Sequence, residues 1–83
     1  MNWLAISKLG CGRKRAETFL ELQRKRYGRT PQQAALSLWK GICTEPSARC
    51  IVMDLKNLSR QPHLGGSDKA YLHGVLNHFE HLC

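Results

Sequence analysis

Two Arg-Lys-Arg triplets, Arg13-Lys14-Arg15 and Arg24-Lys25-Arg26, stand eleven residues apart, with Arg29 just beyond the second. Guanidinium and ammonium groups neutralise phosphates, and both side chains also match the O6 and N7 acceptors of guanine. Eleven residues advance an α-helix by about three turns plus some 20°. On one helix, Arg13 then stacks over Arg24, Lys14 over Lys25 and Arg15 over Arg26. The opposite stripe (Ala16, Phe19, Leu20, Gln23, Tyr27) is expected to face the core. The six cations therefore wrap the whole non-core surface. Glu17 and Glu21 lie three or four residues from Arg13, Lys14, Arg24 and Lys25. Such pairs support a helix by roughly 0.2–0.5 kcal/mol each, so a solvated, salt-bridged face competes with a polyanion-binding one.

The segment NWLAISKLGCGRKRAETFLE sharpens the polyanion alternative. It can be laid on a helix-turn-helix, in which one helix crosses a second and the turn needs glycine with apolar flanks. Gly10 takes the turn, Leu9 and Cys11 flank it, and Ala5, Ala16 and Phe19 fill packing positions. Ile6 departs from the pattern, because a small residue there normally lets the helices approach. In this alignment Gly12, Arg13, Lys14 and Thr18 reach the major groove. Arg15, Arg24, Lys25, Arg26 and Arg29 then hold phosphates.

The remaining reactive residue types are less organised. Cys11, Cys43, Cys50 and Cys83 contain no C-x-x-C pair, no secretory signal accompanies them, and they are expected as free thiols. His73 and His81 share a helical ridge with Asn77 but lie about 12 Å apart at ~1.5 Å per residue, too far for one ion. His78, His81 and Cys83 have no upstream ligand pair. No Gly-rich phosphate loop or paired-carboxylate motif appears, and HLGG reads as a turn. Neither a metal, a cofactor nor a catalytic set is expected.

The elements that must position these residues are punctuated clearly. A short helix is expected over Asn2 to Leu9, and the basic helix over Arg13 to about Tyr27, stopped by Gly28. Thr30, Pro31 and Gln33 form a capping box with proline at the first helical position. The helix that follows carries one thin polar strip, Gln33, Ser37 and Lys40. Its other residues (Ala34, Ala35, Leu36, Leu38, Trp39, Ile42) are apolar, which makes it the central, most buried element. Residues 48–58 match helical spacing, although RCIVMDL also suits a buried strand; with no second strand in view, helix is preferred. Pro62 and Gly65-Gly66 break the chain before a last helix, Asp68 to Leu82, capped by Ser67 and turned inward through Leu72, Val75, Leu76 and Phe79.

The reading is a compact all-α single domain, 1–83, of four to five short helices. The chain carries 13 Lys+Arg against 6 Asp+Glu, a formal charge of +7, which favours an anionic partner. A chain of this size has a modest core and little room for a deep cleft, so an enzyme is not expected. The N-terminal run is too polar for a secretory signal, Lys8 spoils the apolar stretch ahead of Cys11, and no segment is long and apolar enough to span a membrane. A cytoplasmic location follows as the expectation.

Two functions remain open. The first is a non-enzymatic DNA- or RNA-binding regulator or accessory factor. The second is an inhibitor or adaptor, of the kind phages and mobile elements carry, that docks on an acidic or apolar patch of a larger protein. For that alternative, or for a homodimer, Trp3, Tyr71, Gly74 and His78 form the candidate interface. Tyr71, Gly74 and His78 recur at helical spacing, and Gly74 leaves a shallow groove open to another helix of this chain, of a second copy or of a partner.

Overall fold

A computed structural model describes residues 12–82, the side chains of 47 and 48 apart. Within that span the chain is all-α, with no strand. Helix α1 runs Arg13–Leu20 and widens into a π-helical stretch, Glu21–Arg26. Helix α2 follows at Pro31–Thr44, a 3₁₀ turn at Pro46–Cys50, helix α3 at Ile51–Ser59 and helix α4 at Gly66–Leu82. The expected first helix and the helix-turn-helix turn at Gly10 lie outside the described residues, as do Trp3, Cys11 and Cys83.

The strongest local signal is realised in full. Thr30 Oγ accepts from the Gln33 amide at 3.2 Å, and Gln33 Oε1 accepts from the Thr30 amide at 3.0 Å. Pro31 occupies the first turn, where its missing N–H costs nothing. The ambiguous 48–58 segment is 3₁₀ and then helix, with Ile51, Leu55 and Leu58 pointing inward. The last helix begins at Gly66, so Ser67 sits inside its first turn and is exposed.

Helix α2 packs chiefly on α4, α1 on α3, and α3 on α4. Phe19, Leu38, Ile51, Leu55, Leu72 and Val75 are fully buried between them. Trp39 meets Phe79 edge to face, centroids 6.1 Å apart. A radius of gyration of 11.4 Å is close to the ~12 Å expected of a folded chain this long. Helix α2 is less uniformly buried than its composition suggests: Leu36 is 42% exposed.

Two close approaches fix the geometry. Gly74 lies directly against Pro31, so that a Cβ on Gly74 would stand 2.8 Å from the proline Cβ. Of the three occupants open to the Gly74 groove, it is a helix of this chain, the start of α2, that fills it. At the other end of the basic helix, Gly28 takes a φ of 60°, the left-handed turn that glycine adopts without strain. The Arg29 amide then closes the helix end by donating to the Gln23 carbonyl at 2.9 Å.

Candidate nucleic-acid interface

The basic helix divides its cations between the inside and the outside of the molecule. Arg15 is 2% exposed and belongs to the core boundary, contrary to its expected role at phosphates. Its guanidinium donates to Asp54 Oδ2 at 3.0 Å and also to Cys50 Sγ. The same carboxylate oxygen accepts from the Gly12 amide at 3.0 Å. Asp54 thus caps the N-terminus of α1 from a different helix, where a negative charge is favoured by the free N–H groups and the helix dipole. Arg24, half-buried, is held by Asp68 on α4, and its guanidinium lies 5.8 Å from the Tyr71 ring centre.

Arg13 is exposed but engaged: its Nε lies 3.1 Å from Glu17 Oε1, and a terminal nitrogen meets the His63 ring. Thr18 is half-buried and spends its hydroxyl on the Lys14 carbonyl at 2.8 Å. Lys14, Lys25 and Arg26 are exposed and have no carboxylate partner among the described residues. Glu17 and Glu21 are also exposed, so the face is basic but not uniformly so.

The expected stacking of Arg15 over Arg26 does not hold. The π-helical turns bond five residues apart, as in the Tyr27 amide to Leu22 carbonyl bond of 2.9 Å. Each such residue turns the chain through a smaller angle than in an α-helix. By Arg26 the accumulated lag has carried the side chain out of Arg15's buried phase and into solvent. Gln23 stays fully buried. Tyr27, expected in the core stripe, is 40% exposed instead.

Beyond the helix, Arg29 is half-buried in a polar network. It donates to Gln23 Oε1 at 3.0 Å and to Ser37 Oγ at 3.3 Å, and its guanidinium lies 4.7 Å from the Tyr27 ring centre. Tyr71 donates its hydroxyl to the Arg29 carbonyl at 2.7 Å and is only 8% exposed. Burial pushes the Tyr71 phenol above its ordinary range, opposed by the charges of Arg24 and Arg29.

Of the residues expected to form a protein interface, Tyr71 is buried and Gly74 is covered by Pro31. Of the three that lie among the described residues, His78 lines an open surface. It contributes, with Gln32, Gln33, Leu36, His81 and Leu82, to a groove of about 330 Å³ between the start of α2 and the end of α4. Cys43 is an exposed free thiol, while Cys50 is half-buried against the Arg15 guanidinium. No three metal-ligating side chains converge among the described residues. No described helix is long and apolar enough to cross a membrane.

The exposure of Tyr27 has a local counterpart in RKRYGR, an aromatic wedged between cations and followed at once by a helix-stopping glycine. Comparison with family models, curated proteins and solved structures returns no match for this chain.

Proposed function

We propose that the protein binds nucleic acid without catalysing a reaction, as a DNA-binding regulator or accessory factor that holds phosphates electrostatically. One observation carries this reading. Lys14, Lys25 and Arg26 are exposed on the solvent side of one helix with no carboxylate partner among the described residues, while Asp54 and Asp68 are engaged with Arg15 and Arg24. Their charge is left to be balanced from outside, and release of counterions from a phosphate chain supplies the driving force.

Base-edge readout has less support than phosphate binding. The Gly12 amide is held by Asp54, Arg13 by Glu17 and His63, and the Thr18 hydroxyl by the Lys14 carbonyl. A helix-turn-helix built on Gly10 would use α1 as its recognition helix, with Lys14 as the side chain free to reach a base. The other cations position the protein and carry no sequence information directly.

A second reading, docking on a larger protein, is favoured by the groove beside His78. Its two exposed leucines, Leu36 at 42% and Leu82 at 39%, offer apolar area to a partner.

Fluorescence anisotropy against mixed-sequence duplex DNA and single-stranded RNA, from about 50 to 200 mM salt, tests the first reading. A Lys14→Glu/Lys25→Glu/Arg26→Glu variant runs beside the wild type. Affinity should fall steeply with salt and collapse in the variant. The log–log salt slope on duplex should shrink by about 0.9 for each phosphate that is no longer neutralised. Failure of the wild type to bind either ligand at about 50 mM salt refutes the proposal.

A further inference from the structure

The basic helix ends in an aromatic that the core does not absorb. Tyr27 follows Lys25 and Arg26 directly, and it remains 40% exposed although the neighbouring turn buries Gln23 completely. Its ring rests on the Arg29 guanidinium, 4.7 Å from cation to ring centre. That guanidinium is itself anchored, donating to Gln23 Oε1 at 3.0 Å and Ser37 Oγ at 3.3 Å. The Arg29 backbone is pinned as well, by the Tyr71 hydroxyl at 2.7 Å. An exposed ring held by a fixed cation has already lost much of the freedom that binding would otherwise cost.

We propose that Tyr27 is a stacking platform for an unpaired base, which makes single-stranded nucleic acid the preferred ligand of the basic face. This rests on the nucleic-acid reading above and names its substrate class. The base stacks on the Tyr27 ring, and Arg26 and Lys25, the exposed cations one and two residues before it, take phosphates of the same strand. Every base has a π-face, so the contact tolerates sequence. A duplex offers no such face until a base leaves the stack, so Tyr27 adds little to double-stranded binding. The strand is DNA or RNA, since stacking uses what the two share.

The test compares four fluorescein-labelled probes of equal length: oligothymidine, oligouridine, a mixed-sequence duplex and an abasic sugar–phosphate strand. Tyr27→Ala should weaken binding of both single strands by about 5- to 150-fold, the loss that one stacked base carries. Tyr27→Phe should bind as the wild type does. Binding of the abasic strand should be the same in all three proteins, which separates lost stacking from lost folding. The Lys25→Glu/Arg26→Glu variant should lose all four probes together.

If Tyr27→Ala binds oligothymidine and oligouridine as tightly as the wild type while the charge variant does not, the platform is wrong and the phosphate reading stands. Equal loss on the abasic strand also overturns the platform. If the wild type binds none of the probes, both readings fall.

Discussion

Replacing Asp54 by alanine strands a buried charge. The carboxylate is 11% exposed, and its Oδ2 accepts at 3.0 Å from both Arg15 and the Gly12 amide. Arg15 is 2% exposed, so its charge has almost no contact with water where it stands. Removing one partner of a buried ion pair costs about 3–5 kcal/mol, because the surviving charge is stranded. Loss of the cap on α1 overlaps with this and adds at most ~1–2 kcal/mol. A domain of this length holds roughly 4–12 kcal/mol in total. At about 4–8 °C per kcal/mol, the ion-pair loss alone should lower Tm by about 12–40 °C, measured by far-ultraviolet circular dichroism on heating. The double variant Arg15→Met/Asp54→Leu removes both charges and keeps the volume, so it should recover most of the loss. The reasoning is refuted if Asp54→Ala costs less than about 1 kcal/mol. It is equally refuted if the double variant is as unstable as the single one.

Two further perturbations probe the interior. Burial raises the Tyr71 phenol above its ordinary value of 10.0, so the folded state holds this proton more tightly than the unfolded chain does. The contribution is complete below pH ~10 and is lost as pH rises through the folded value. Urea unfolding at rising alkaline pH should therefore show a steeper loss in the wild type than in Tyr71→Phe, whose own cost at neutral pH is about 0.5–1.5 kcal/mol for the missing hydrogen bond. Gly74→Ala should destabilise by about 1–2 kcal/mol despite alanine's better helix propensity, because its Cβ would sit 2.8 Å from the Pro31 Cβ. A urea midpoint for Gly74→Ala at or above the wild type would show that α2 and α4 can separate there without cost.

What the sequence discloses here depends on how far apart the interacting residues lie along the chain. The Thr30 capping box and the Arg13–Glu17 pair are contained within four residues, and both are present. The inward stripe of α4 is readable from the 3.6-residue period, and Leu72, Val75, Leu76 and Phe79 are all buried. The pairs Arg15–Asp54 and Arg24–Asp68 join residues separated by 39 and 44 positions. No local rule selects those aspartates over Glu17 and Glu21, which sit closer in sequence and remain on the surface. Counting charges along the helix therefore places all six cations outside, when one is buried and another is held by a neighbouring helix. Gly74 follows the same logic: an open groove on an isolated helix is the contact that Pro31 fills once α2 is folded against it.

The π-helical stretch decides which residues the basic face finally presents. In an uninterrupted α-helix, eleven residues return a side chain to within about 20° of its starting direction. Arg26 would then lie in the phase of Arg15, and Tyr27 in the phase of Ala16, both of which are buried. The wider turns over Glu21–Arg26 break that equivalence. Arg26 reaches solvent, Tyr27 is left 40% exposed on top of Arg29, and Gln23 stays inside to hold the Arg29 guanidinium. One local change of helical pitch thus accounts for a free cation, an exposed aromatic and the anchor beneath it. Wide turns of this kind are rare and occur often at functional sites. Here the wide turn moves an aromatic and a cation from the core-facing phase to the surface, and those are the two residue types that a flexible polyanion bearing flat bases would require.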